Sequence, residues 1–534
     1  MSPPCSGPPG KRQSGWHNDR VDNGAETTEH ALKTLARRVV SRPKLFIIPG
    51  IVLGFVVYVL VSDAVEIRVI LAALILSVGS ALGFKAEEPP CSYGLPHMPD
   101  GPPAPSVIPP KVYVGVSVVS VVLFGILQLF DLASWVSLAL AIIAVIGWII
   151  ASDAVLRTFW HTQHLKRAMR SYGATTGIGF AGRSGGPWQL RMWEPYLRRS
   201  GERLVIFNLH EKYVEMILEG GDLKSPFIQL GSDPKADLDR LLVPSIKALF
   251  YVQNAQRNEI FMSRKGIVHV WLNHGDSDKP ANFNPRHATY DRLVVCGQAG
   301  IDRYERHGIH VDPHKFDVLG RPQASGINPA RGPIGTLDTK VVFYGPTWQG
   351  LDDAVNFSSL EKGPEIVREL IKRDVTVVFR PHPLSYRWRI RRAVVKEIHE
   401  ILAADKKASG RQHVFGTKAD KTWSVVDCTN ASDALISDVS SVVSDFLQSE
   451  KPYAMMSMRA SVDDFRAEFS VAETGYVVLG DLSNLGEMLD AMLGPDPLAE
   501  ARSARKRYVL GDFTGDESAE AFAQYVRRLV GHTS

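Results

Sequence analysis

The stretch Ala434–Pro452, ALISDVSSVVSDFLQSEKP, restricts what this chain can fold into more than any other. Ala434-Leu435-Ile436 is an apolar run short enough for a buried strand. Ser437-Asp438-Val439-Ser440-Ser441 makes a polar elbow, and an amphipathic helix follows from Val442. Lys451-Pro452 stops that helix and leads into a second apolar run, Tyr453-Ala454-Met455-Met456. Strand, elbow, helix and strand in this order are the βα alternation of a parallel sheet. Free N–H groups, the helix dipole and the Ser hydroxyls make such an elbow a natural anion site. Two further strand ends lie upstream, at Val377-Val378-Phe379-Arg380-Pro381-His382-Pro383 and at Val342-Phe343-Tyr344-Gly345-Pro346-Thr347-Trp348. In a parallel sheet these three ends share one edge, where open α/β sheets bind ligands.

The alternation extends over most of the chain. Strands are expected at Leu204–Leu209, Gly266–Leu272, Arg292–Gly297 and Phe316–Gly320, with helices at Pro244–Asn254 and Ala299–His307. A second series has strands at Val341–Tyr344, Val375–Arg380, Ala434–Ile436, Tyr453–Met456 and Tyr476–Leu479, and a capped helix ends near Val530. The pattern predicts two Rossmann-like domains with a cleft between them, over residues 201–337 and 338–534. A chain of 534 residues suggests about three units, so a further part remains.

That part is apolar. Leu45–Val61, Val112–Phe130 and Ala133–Ala151 are uncharged, and Ile67–Phe84 holds only Arg68. At 1.5 Å rise per residue each is long enough to cross the hydrocarbon of a bilayer, so four transmembrane helices are expected within residues 45–152. Basic residues lie before the first stretch and after the last. The positive-inside rule then gives a multi-pass protein of the cell membrane, with both termini and the catalytic domain cytoplasmic. Residues 1–44 read as a disordered basic tail and 153–200 as a juxtamembrane linker. Within that linker, the Trp- and Arg-rich Trp188–Arg199 suits either a membrane interface or a surface helix. Four scattered cysteines without a CxxC exclude a disulfide framework and a zinc site. Lys+Arg 61 against Asp+Glu 57 is too even a balance to imply nucleic acid, despite the basic run Arg387–Arg392.

The residues that can carry chemistry sit at strand ends. Asn273-His274-Gly275-Asp276 follows the strand Gly266–Leu272, and His274 has the ordinary pKa to accept a proton near neutrality. Arg380 and His382 are held between prolines, which aims them, and both suit a diphosphate. Ser440 and Ser441 add hydroxyl donors, as does Thr347.

Taken together, His274-Gly275-x-x-x-Lys279, Tyr344-Gly345-Pro346-Thr347-Trp348, Arg380-Pro381-His382-Pro383, Ser437-Asp438-Val439-Ser440-Ser441-x-x-x-Asp445 and Lys451-Pro452 resemble the CDP-glycerol glycerophosphotransferase family of teichoic-acid primases and polymerases. The resemblance spans residues 200–530. It implies a GT-B fold with the nucleotide on the C-terminal domain and the acceptor on the N-terminal one. The implied enzyme moves glycerol phosphate, or a related polyol phosphate, from CDP-glycerol to a lipid-linked cell-wall glycopolymer and releases CMP. Carried onto this sequence, His274 is the base. Arg380, His382, Ser440, Ser441 and Thr347 hold the diphosphate, Asp438 orders their loop, and Gly275 and Lys279 face the acceptor. No cofactor is expected and no metal cluster is visible, with Mg²⁺ on the donor left open. This sequence has Asn273 where the family commonly has Trp, and Gly320-Arg321-Pro322-Gln323-Ala324 where it has Gly-Tyr-Pro-Arg-Asn-Asp. A GT-B glycosyltransferase using a nucleotide sugar, and a non-catalytic nucleotide- or glycan-binding membrane protein, are the alternatives.

Overall fold

A computed structural model describes residues 88–103, 157–182, 186–219, 221, 223–350 and 356–531. The chain divides into two compact units, residues 1–89 with 103–161 and residues 90–102 with 162–534, and the described residues lie almost wholly in the second.

That unit holds two sheets. The first has eight strands: β1 Cys91–Tyr93, β2 Thr176–Phe180, β3 Leu204–Asn208, β4 Phe227–Gln229, β5 Ala248–Tyr251, β6 Val268–Trp271, β7 Arg292–Val295 and β8 Phe316–Val318. They lie in the order β1-β4-β3-β2-β5-β6-β7-β8, parallel except for β1, which runs antiparallel to β4. The second sheet is all parallel, with β9 Val341–Gly345, β10 Thr376–Phe379, β11 Ala434–Ser437, β12 Tyr453–Ser457 and β13 Tyr476–Leu479 in the order β10-β9-β11-β12-β13. In each sheet the strand order reverses once, between β2 and β5 and between β9 and β11. Such switch points open a crevice at the carboxyl ends of the strands.

Parallel strands are covered on both faces, so the central ones are continuously apolar and buried. That explains the miss at Pro244–Asn254, where the helix expected from sequence is instead β5, Ala-Leu-Phe-Tyr, buried throughout. Four apolar residues in a row carry no period that separates strand from helix. Strand β2, Thr-Gly-Ile-Gly-Phe, is disguised by its glycines. A Cβ on Gly177 would lie 2.7 Å from Leu249, and one on Gly179 would lie 2.8 Å from Tyr251, so the side chains of β5 occupy that space.

Residues 153–200 are more than a linker. They supply β2 and the helix α1, Pro187–Arg199, which buries Leu190, Trp193 and Leu197 in the core of the first sheet. Trp193 faces the core there and no membrane interface, while Trp188 stays exposed. Cys91–Tyr93, between the second and third apolar stretches, likewise adds β1 to this sheet as an edge strand.

Further helices are α2 Gln298–Arg306, α3 Gly363–Ile371, α4 Arg389–Ser409, α5 Ser441–Leu447, α6 Ala499–Leu510 and α7 Glu517–Val530. The last returns to the first sheet. Phe522, Tyr525 and Val526 join its core, and the Phe522 ring lies 5.1 Å from that of Trp193.

The expectation of four transmembrane helices and a multi-pass membrane location is corrected. No helix among the described residues is long and apolar enough to cross a membrane. Even α4, at 21 residues, buries only one stripe, Val395, Ile398 and Leu402, and carries Arg and Lys elsewhere along its length. The four stretches 45–61, 67–84, 112–130 and 133–151 on which that expectation rested lie outside the described residues.

Candidate active site

Strand β6 ends at Trp271, and the backbone turns sharply two residues later. Asn273 adopts φ 62°, the left-handed conformation that Asn tolerates better than other residues with a Cβ. Its side chain stabilises the turn: Oδ1 accepts from the His274 N–H at 2.8 Å, and Nδ2 donates to the Gly275 carbonyl at 2.9 Å. From α1, the Trp193 indole N–H donates to the Asn273 carbonyl at 2.6 Å. His274 is thereby held with its ring edge-on to Trp188, centroids 5.9 Å apart.

The imidazole is neutral. Burial is the main cause that lowers its pKa to about 4, with the Arg321 guanidinium adding to it, while a hydrogen bond to the backbone at Val252 works the other way. Nδ1 is buried and has no hydrogen-bond partner. A neutral ring with one nitrogen unengaged is a base ready to accept a proton.

Gly275 lets the two halves meet. A Cβ there would lie 3.2 Å from the Ser441 Cβ and 3.3 Å from its hydroxyl oxygen, at the start of α5. Helix α5 has seven residues, and its N-cap Ser440 accepts from the Val442 N–H at 3.3 Å, so the anion-binding share of the short helix itself is modest. The side chains carry more of the site. Lys279 reaches from the His274 loop towards the second half, its Nζ 5.9 Å from the Phe357 ring. Burial lowers its pKa, and the Asp438 carboxylate opposes that shift. His382 accepts from the Leu384 N–H at Nδ1, 3.1 Å, and its ring stacks near Trp348. Burial first, and Lys279 second, lower its pKa to about 4. Its other nitrogen then carries the proton and is a neutral donor.

Asp438 bridges the switch point of the second sheet. Its carboxylate accepts from the Thr347 N–H at 2.7 Å and the Ser359 N–H at 3.1 Å, which ties the end of β11 to the loop after β9. Complete burial raises its pKa to about 7 against the pull of those donors. Thr347 is buried, and its carbonyl accepts from the Ser358 hydroxyl at 2.7 Å.

Of the residues singled out in the sequence, the structure brings His274, Gly275, Lys279, Thr347, His382, Asp438, Ser440 and Ser441 to the facing strand ends of the two halves. Arg380 has one of its three guanidinium nitrogens engaged: Nη1 donates to the carbonyls of Ala419 and Trp423 (2.6 Å for the latter), which fixes the turn around 418–423.

Other residues escaped the sequence reading. Arg321, buried, donates through Nε to Asp445 of α5 at 2.7 Å and lies close enough to His274 to affect its titration. Arg303 of α2 pairs with Asp276 at 2.7 Å and Asp278 at 2.8 Å, and the second oxygen of Asp278 accepts from the Ser470 N–H at 3.0 Å and its hydroxyl at 3.1 Å. The loop between His274 and Lys279 is thus fastened to both halves. Asp445 had a signal in the spacing of the serine elbow. Arg303 had none, because its partners lie about two dozen residues or more away. Among the described residues no group of His, Cys, Asp and Glu could hold a metal ion.

Two parallel sheets, each with one reversal of strand order, and the approach of the Gly275 loop of one half to Ser441 of the other make a GT-B-like α/β fold. Residues 315–464 match the CDP-Glycerol:Poly(glycerophosphate) glycerophosphotransferase family. Solved structures similar to it include the wall teichoic acid polymerase TagF, 13% identical, covering 71% of this chain and 95% of that one at TM-score 0.42. A glycosyltransferase from Rickettsia africae is 14% identical, covering 67% of this chain and 100% of that one at TM-score 0.41. A UDP-N-acetylglucosamine 2-epimerase is 12% identical, covering 66% and 95% at TM-score 0.42. No curated protein matches the chain.

Proposed function

We propose that the chain moves glycerol phosphate, or a related polyol phosphate, from CDP-glycerol to a hydroxyl of a lipid-linked glycopolymer, releasing CMP. One observation supports the reading: the loop that carries His274 lies, at Gly275, against Ser441 of the other half. The His274 imidazole takes the proton of the acceptor hydroxyl as its oxygen attacks the glycerol-bearing phosphorus. A P–O bond to the acceptor forms, the P–O bond to CMP breaks, and CMP leaves with that electron pair. A base that is already neutral needs no prior deprotonation at working pH.

Lys279, the free N–H of His382 and the hydroxyls of Ser440, Ser441 and Thr347 hold the diphosphate, while Asp438 fixes the two loops that present them. In a cleft with little water, each such contact is stronger than the same contact in bulk solvent. Lys279, desolvated by burial, gains counter-charge from the anionic donor.

The test is CMP release from CDP-glycerol with a lipid-extract acceptor, alongside His274→Ala. Loss of the base lowers turnover by about 10²–10⁴-fold. Turnover of a nucleotide sugar with CDP-glycerol inert would shift the donor to the sugar class. No turnover of either would leave a binding protein and refute the proposal.

A further inference from the structure

His287 is fully buried, and the mechanism above leaves it without a role. It sits in a short 3₁₀ turn, Pro285–Thr289, just ahead of β7. A polar ring in a core gives up its hydration, so its nitrogens must find partners. Both do. Nδ1 lies 2.6 Å from the Tyr304 hydroxyl, and Nε2 lies 2.6 Å from Asn254 Oδ1. The far end of this chain of bonds assigns the protons. Asn254 Nδ2 donates at 2.7 Å to the Ala281 carbonyl, a group that can only accept. Asn254 therefore turns its oxygen to His287, so Nε2 carries the proton and Nδ1 accepts from Tyr304. Burial keeps the ring in this neutral form.

The bonds converge on the loop that carries His274. That loop leaves β6 at Trp271 and returns at Ala281 and Asn282, and His287 meets both stems. Its ring stacks on Trp271, with centroids 4.3 Å apart and planes 28° from parallel. Through Asn254 it holds the Ala281 carbonyl. The next residue, Asn282, donates to the Ser277 carbonyl at 2.6 Å and to its hydroxyl at 2.8 Å, and its Oδ1 accepts from Asn273. Asn273 in turn fixes the His274 N–H and the Gly275 carbonyl. Helix α2 thus grips the loop twice: directly, by Arg303 on Asp276 and Asp278, and by way of His287, through the neighbouring Tyr304.

We propose that His287 is a positioning residue, which fixes both stems of the loop 272–282 and so holds the His274 imidazole in place. That this imidazole is the base rests on the transferase reading; that His287 holds the loop does not.

Two variants cut the link in different ways. His287→Leu keeps an apolar side chain against Trp271 and removes both hydrogen bonds. Asn254→Asp, at a half-buried position, keeps an acceptor for Nε2 but turns an oxygen instead of a donor to the Ala281 carbonyl. His287→Gln, which retains a donor towards Asn254, is the conservative control. The rate at which diethyl pyrocarbonate modifies His274 is measured on the full chain by mass spectrometry, with His382 of the other half as internal reference. The expected result is modification of His274 faster by roughly tenfold, about the worth of one buried hydrogen bond, in His287→Leu and Asn254→Asp. His287→Gln stays near the wild type, and His382 is unchanged throughout. In the CMP assay the same two variants lose kcat by a similar factor and keep the donor KM. An unchanged His274 rate in both variants overturns the proposal. So does acceleration of His274 and His382 together, which reports general loosening, and so does faster labelling with kcat intact. A wild type that releases no CMP refutes the transferase reading instead, and the labelling alone then decides whether His287 holds the loop.

Discussion

Replacing Arg303 by Met tests whether the clasp on the His274–Lys279 loop is a structural necessity. Its guanidinium is buried between two carboxylates that are themselves at most 9% exposed in their side chains, at 2.7 Å and 2.8 Å. Met keeps most of the stem volume, so packing changes little. What changes is that Asp276 and Asp278 lose their counter-charge in a poorly solvated site, where the Asp276 Oδ2 already lacks a partner. Removing one member of a buried pair costs about 3–5 kcal/mol, because the remaining charge stays buried. Equilibrium urea unfolding, followed by tryptophan fluorescence, measures the loss as a drop in the midpoint. Adding Asp276→Asn and Asp278→Asn to Arg303→Met removes the stranded charges and restores at least half of it. The loop is also fastened to the second half through Asp278 and Ser470, so the KM for the donor rises in the single variant. A loss below about 1 kcal/mol, the value of an ordinary exposed pair, would refute the reasoning.

Two further outcomes follow from groups already placed. His274 and His382 are each lowered to about 4 and His287 to about 3, burial being the first cause in all three. The unfolded chain, with histidines near 6.5, therefore binds more protons than the folded one below that pH. Stability from these groups is fully present above about 6.5 and is lost as pH falls towards 4, and kcat/KM keeps its base form down to about pH 5. An acid limb of kcat/KM centred near 6.5 would contradict a buried, neutral His274. At Asn273, a Val side chain in the left-handed conformation costs at least about 1–2 kcal/mol and displaces His274, whereas Gly accepts that conformation and loses only the side-chain hydrogen bonds. Activity of Asn273→Gly no greater than that of Asn273→Val would show that the turn is not what positions the base.

The sequence by itself determined the parallel sheets and their ligand-binding edges. Short apolar runs ending in Gly, Pro, Ser and His are local signals, and βα alternation admits few topologies. It also supplied the residues that stand at those edges, His274, Lys279, His382 and the Ser440–Ser441 elbow, since a strand end fixes where its next few residues emerge. Only the tertiary structure decided where longer-range side chains point. Arg380 lies in the expected tract, and one of its nitrogens turns to the carbonyls of Ala419 and Trp423, some forty residues on. Trp193, which suited a membrane interface from its neighbours, is buried against the returning helix α7. Arg303 and Arg321 acquire meaning only when Asp276, Asp278 and Asp445 are folded around them. The division has one physical cause. Backbone periodicity and turn chemistry act over a few residues, whereas the burial and pairing of a charged or aromatic side chain depend on chain segments brought together by the whole fold.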